Sequence, residues 1–145
     1  MASSVRIRGP SAPAGLRRGA LSVYRWLLLA FLLAGVAQIV LAGLSVFTLA
    51  HGGAGVGSAF SAHRALGWSM AGGALVIFVL ALLARPGVRA IALSGVLFLL
   101  AGLMQGVLAG LADNATFFGG LHAPGWAPHM GIAGFLYASS RRWRS

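Results

Sequence analysis

The chain has 145 residues, 59% hydrophobic and only 8% charged, with a net charge of +10 and no cysteine. A soluble domain carries about 25% charged residues, so this composition belongs to a membrane protein. A single acid, Asp113, excludes paired-carboxylate catalysis and carboxylate metal cages, and the lack of Cys excludes thiolate ligands, disulfides and c-type haem attachment.

Residues 1–20, rich in Ala, Ser, Gly and Pro, read as a disordered basic tail ahead of a membrane domain over 21–145. The first predicted span covers about 24–50. Trp26 to Ala50 carries no charge over 25 residues, which at about 1.5 Å per residue exceeds the roughly 30 Å of bilayer hydrocarbon. A secretory signal has a shorter apolar core and hands over to polar sequence, whereas more apolar runs follow here, so this segment is expected to stay attached. The second span, about 60–84, has Ser58 and Ser61 as candidate N-caps and stops at Arg85-Pro86-Gly87. The third, about 89–112, ends at the turn pair Asp113-Asn114. In the fourth, about 121–140, Pro124 and Pro128 predict a bent or late-starting helix. The expected fold is all-α: a four-transmembrane-helix bundle.

Ten of the eleven arginines fall in three clusters: Arg6, Arg8, Arg17, Arg18 and Arg25; Arg85 and Arg89; Arg141, Arg142 and Arg144. Four spans put all three clusters on one side, and the positive-inside rule makes that side cytoplasmic, with both termini there. Arg17-Arg18 is then orientation charge, not a twin-arginine export signal. The basic charge calls for anionic lipid at the cytoplasmic face of a bacterial plasma membrane and needs no nucleic-acid partner.

The run Phe31-Leu32-Leu33-Ala34-Gly35, with Gln38 and Val40 to Leu44, recurs from Phe98 to Leu111 around Gln105, matching at 11 of 14 positions. Apolar bias explains many of these matches but not the repeated Gln, so the pattern reads as a duplicated two-helix hairpin giving two parallel repeats. Small residues flank each amide at four-residue spacing (Ala34, Gln38, Ala42; Ala101, Gln105, Ala109), and Gly102, Gly106 and Gly110 make two overlapping GxxxG spacings. Two readings stay open: close helix packing with Gln as interhelical glue, or room for a flat ligand with the amide beside it.

All four histidines lie toward the predicted extracytoplasmic end. His51 reads as a solvated loop residue. Histidines at membrane depth usually face a bundle interior or a ligand, and in four-helix bundles facing histidines hold haem. His63, on span two, needs a partner at matching depth on span four. His63 lies 22 residues before Arg85 and His122 lies 19 before Arg141, with His129 only 12 before it, which favours His122. Measured from the repeat, His63 comes 19 after Leu44 and His129 comes 18 after Leu111, which favours His129. Loop length varies more readily than bilayer thickness, so His122 is the preferred partner and His129 the alternative.

The order of Gln38 with Ala42-Gly43-Leu44, the HRALG opening of span two (His63 to Gly67), the second Gln span and the GLHA opening of span four (Gly120 to Ala123) resembles an uncharacterised family of small four-helix bacterial membrane proteins, over about residues 22–144. The two histidine segments are more distantly similar to half of a haem A synthase or to a cytochrome b561-like bundle. This chain differs from the synthase in having one four-helix unit.

The leading expectation is therefore a membrane protein holding b-type haem between spans two and four, for electron transfer or haem handling. His63 and His122 are the axial ligands, Gln38 and Gln105 stand beside them, and Arg64 is placed to pair with a propionate. A membrane redox partner or larger complex is implied, and the oligomeric state stays open. The alternatives are a non-enzymatic accessory subunit assembling through its small-residue faces, or a small transporter, although the latter lacks an intramembrane carboxylate. No hydrolase constellation, phosphate loop or HExxH motif is present. The orientation is tested by single-cysteine labelling from outside the cell: sites at Gly53 and Asn114 should react and sites at Ser4 and Ser145 should not, whereas the reverse pattern overturns it.

Overall fold

The structure is a computed structural model that describes residues 13–53, 55–112 and 116–143, and every regular element among them is helical. Helix α1 spans Ala14–Ala50, α2 Val56–Ala59 and α3 Ser61–Ala84. Helix α4, Val88–Phe98, runs without interruption through a π-helical segment, Leu99–Met104, into α5, Gln105–Ala112. Helices α6, Thr116–His122, and α7, Trp126–Ser140, complete the chain. Three helices, Ala14–Ala50, Ser61–Ala84 and Val88–Ala112, are long and apolar enough to cross a membrane.

Each boundary has a local cause. Helix α1 begins right after Pro13, where the missing N–H is harmless, and so extends through residues 14–20 of the expected basic tail. Residues 1–12 of that tail lie outside the described residues. Its 37 residues amount to about 55 Å, well beyond a bilayer's hydrocarbon thickness, so the turns bearing Arg17 and Arg18 project past it. Helix α3 stops where Arg85 turns left-handed (φ 48°) and its N–H bonds the Ala81 carbonyl; Gly87 follows at φ 129°, a conformation that a side chain would strain. The segment expected as span four is two helices joined by a tight turn at Ala123, Pro124 and Gly125, closed by Gly125 N–H to the His122 carbonyl at 3.2 Å. Pro128 sits within the first turn of α7, where it needs no hydrogen-bond partner. The π segment had no counterpart in the sequence reading: the Gln105 N–H bonds the Leu100 carbonyl five residues back, widening the helix just before the glutamine.

The helices pack in a ring. Helix α1 lies against α3 and α7, α3 against α4 and the π segment, α4 against α7, and α5 against α6. Thus α3 and α7 face each other across a diagonal. The interior is made largely of small residues, with Ala74, Ala81, Ala84 and Ala133 fully buried, around Tyr24, Leu28, Ile77, Leu97 and Leu136. The large apolar residues point outward: Trp26, Leu33, Phe47, Trp68 and Val107 are all more than half exposed. An apolar surface this extensive suits hydrocarbon, not water. Phe78 and Phe98 stack at 6.5 Å, and Phe78 fills the space over Gly95. Of the GxxxG glycines, Gly102 approaches the Ala71 carbonyl and Gly106 the ring of Trp68, while Gly110 faces open space; the motif packs over part of its length only.

Polar contacts tie the arginine-rich end together. Arg17 Nε donates to the Ala84 carbonyl at the end of α3 (3.3 Å), and Arg25 donates to the Ser140 and Trp143 carbonyls at the end of α7. Both satisfy helix C-termini with a cation, which also opposes the negative end of each helix dipole. Arg89 lies over the Phe135 ring at 4.8 Å. The arginines of α1, of the turn after α3 and of the α7 terminus therefore share one end of the bundle. Deeper in, the Tyr24 hydroxyl and Ser94 Oγ are 2.9 Å apart, and Ser94 also bonds the Ala90 carbonyl at 2.8 Å. Tyr24→Phe leaves Ser94 bonded to Ala90 and should cost about 0.6 kcal/mol, whereas Ser94→Ala leaves a buried phenol unpaired and should cost about 1–3 kcal/mol. Reversible unfolding in mixed detergent measures both, and a larger loss for Tyr24→Phe would contradict this assignment.

Candidate functional site

At the end of the bundle opposite the arginines, the structure brings two of the predicted histidines together. His63 lies in the first turn of α3 and His122 is the last residue of α6, the short helix packed against α5. Their ring centroids are 6.2 Å apart, with the planes at 72°. Both rings are half-buried.

His63 is seated on the backbone of the glutamine in the preceding long helix. His63 Nδ1 lies 3.3 Å from the Gln38 carbonyl, to which it donates, and Phe60 packs edge-on against the ring at 5.9 Å. Because a carbonyl only accepts, that bond places a proton on Nδ1, so that in the neutral ring Nε2 is the nitrogen open to a metal. The buried Nδ1 of His122, by contrast, has no hydrogen-bond partner. The glutamine side chains correspond. The Gln38 amide lies 3.1 Å from where a Cβ on Gly67 would stand, and the Gln105 amide occupies the space of a Cβ on Gly125. In both halves a glycine three or four residues after the histidine leaves room for a glutamine side chain.

These glycines were not singled out from the sequence, although the paired strings HRALG and HAPG held the signal. Close approach of an amide to backbone needs a residue with no Cβ, and that need shows only once the glutamines are placed. The spacing differs, four residues in one half and three in the other, and the π segment before Gln105 adds a further departure between the halves.

The remaining candidates lie elsewhere. His129 is buried inside α7, edge-on to Phe31 at 6.3 Å, and its Nδ1 has no partner. The turn at 123–125 separates it from His122, so the depth difference expected of a continuous helix does not apply. Arg64 is exposed and donates to the Gly57 carbonyl, holding α2 against the start of α3. His51 is exposed and Nδ1 donates to the Phe47 carbonyl at 2.8 Å, closing the end of α1. Asp113 lies outside the described residues. Among the described residues no three His or acidic side chains gather as a metal cage would.

The polar groups at the paired histidines are under-satisfied. Gln38 Oε1, Gln105 Nε2 and His122 Nδ1 are all buried with no hydrogen-bond partner. A buried polar atom left unpaired costs about 1–3 kcal/mol, so three together mark a place where the folded chain is not optimised for its own stability. No family model matches the chain, and no curated protein or solved structure is significantly similar to it.

If Gln105 Nε2 is unpaired in the ligand-free protein, Gln105→Met removes a buried donor at nearly constant volume. The variant should then melt at the same temperature as the parent or higher. A drop of several degrees in a detergent thermal melt would mean that the amide is satisfied and structural.

Proposed function

We propose that this chain is a four-span integral membrane protein of the bacterial plasma membrane, with cytoplasmic termini, that holds b-type haem between His63 and His122 for electron transfer or haem handling. The observation that carries the reading is the pairing of these two imidazoles, one from α3 and one from α6, 6.2 Å between centroids. A haem bound here would be held by these two imidazoles, each offering one ring nitrogen.

The donor set fits the group. His63 donates Nδ1–H to a backbone carbonyl, the outer contact that fixes tautomer and ring orientation in histidine-ligated metal sites. The unpaired amide atoms of Gln38 and Gln105 supply one acceptor and one donor beside the pair. Phe60 packs edge-on against His63, an apolar contact that suits a flat apolar macrocycle, and an exposed Arg64 would have to leave the Gly57 carbonyl to pair with a propionate. When bound, haem with two imidazole ligands supplies one-electron transfer. The chain's own part is to hold the His63 ring through its bond to the Gln38 carbonyl and to present both imidazoles to the group.

The matching seats of Gln38 over Gly67 and Gln105 over Gly125 support descent of the two halves from one duplicated hairpin, since apolar bias alone does not reproduce a polar side chain against a glycine. Convergence of Arg17, Arg25, Arg89 and Arg142 at one end supports a common cytoplasmic face.

The test is a reduced-minus-oxidised absorption spectrum of the detergent-purified protein from haem-replete cells. A b-type Soret and α band is expected. His63→Ala and His122→Ala should each abolish the low-spin spectrum, and His129→Ala should retain it. A parent protein without these bands overturns the haem reading, leaving a non-enzymatic accessory subunit as the better one. Loss of haem in His129→Ala with retention in His122→Ala would move the second ligand to His129.

A further inference from the structure

The arginine-rich end holds a feature that the histidine site does not explain. A cleft of about 370 Å³ opens between α1 and α7, lined by Ser22, Arg25, Trp26, Tyr137 and Arg141. We propose that this cleft is a binding site for the phosphate of an anionic lipid headgroup, with Arg25 and Arg141 as the charged ligands and the hydroxyls of Ser22 and Tyr137 as hydrogen-bond donors.

Two guanidinium groups line the cleft, and none of the described residues is acidic. The α7 C-terminus contributes the equivalent of about half a negative charge, which leaves most of the positive charge uncompensated among the described residues. Part of Arg25 is already committed, since it donates to the Ser140 and Trp143 carbonyls. That commitment fixes the guanidinium in place before any ligand arrives, and its Nε stays buried without a partner. A pre-positioned arginine loses little freedom on binding.

Depth distinguishes a lipid from a free anion. Trp26 is the first residue of the uncharged 25-residue stretch of α1 and is 70% exposed, facing outward at the level where indole rings sit among headgroups. The cleft therefore opens at the headgroup level with acyl chains beside it, a position where basic pockets between membrane helices take lipid phosphates. On the other side of α7 a second cleft, lined in part by Arg89, Ser139 and Arg142, repeats the combination of two arginines and a serine.

The experiment uses the full chain purified in neutral detergent, with bound lipids counted by native mass spectrometry. Phosphatidylglycerol should bind in preference to phosphatidylcholine. Arg141→Gln should weaken phosphatidylglycerol binding by about tenfold, the scale of one charge-assisted contact. Arg18→Gln removes the same charge from an exposed position that does not line the cleft, and should change binding by less than twofold. Equal losses in the two variants, or no preference between the lipids, would reduce the effect to diffuse attraction and overturn the site. Displacement of phosphatidylglycerol by millimolar inorganic phosphate would make free phosphate the ligand and overturn the lipid assignment. The outcome is independent of haem binding, because Arg141 lies at the opposite end of the bundle from His63 and His122.

Discussion

In a lipid environment an apolar side chain gains nothing by leaving hydrocarbon for a protein interior, so the usual driving force for folding is absent between helices. What remains is close packing and the satisfaction of polar groups, and the rest of this structure follows from that. Alanine and serine fill the positions where helices approach, while tryptophan, leucine and phenylalanine face outward. The few large buried side chains, Tyr24, Leu28, Ile77, Leu97 and Leu136, lock the ring of helices toward its arginine-rich half. With no water at this depth, each polar group placed there either bonds within the protein or stays unpaired at a free-energy cost.

The two ends of the bundle meet this constraint in opposite ways. At the arginine end most polar groups are used: Arg17 and Arg25 take up carbonyls that α3 and α7 leave open and Tyr24 and Ser94 share a hydrogen bond, although Arg25 Nε is buried without a partner. At the histidine end the pairing is incomplete. Gln38 keeps an unpaired oxygen and Gln105 an unpaired nitrogen, each held over a glycine that leaves room for it. An apolar residue at either position would remove the unpaired atom. The arrangement makes physical sense if polar atoms are held ready for a group bound between His63 and His122, which is why the functional proposal rests there and not on the buried but solitary His129.

The irregular backbone lies around the same end. The π segment of Leu99–Met104 widens the third helix directly ahead of Gln105, and the turn at Ala123 to Gly125 breaks the last segment directly after His122. Irregularities of this kind redirect side chains, and π segments recur at functional sites in helical proteins. Here one widens the helix just ahead of Gln105 and the other ends the helix that carries His122, whose ring lies beside that of His63.

Much of the fold was legible in the residues themselves. Uncharged runs longer than a bilayer is thick, arginines gathered in three places and the Arg85-Pro86-Gly87 stop depend on local composition and chain stiffness, and these are sequence properties. Pro124 and Pro128 likewise announced an interrupted last segment, because proline acts on its own helix turn. The candidate site was legible only as a set of residue types. Counting along the chain gave contrary answers for His122 and His129, since one count assumed a continuous helix and the other assumed loops of equal length. The pairing of His63 with His122, the seats at Gly67 and Gly125 and the joining of Arg25 to the α7 terminus were decided by tertiary structure alone. Each depends on how far apart two helices stand and how each is rotated about its axis, and a linear pattern of apolar residues that face lipid all round carries little information about either.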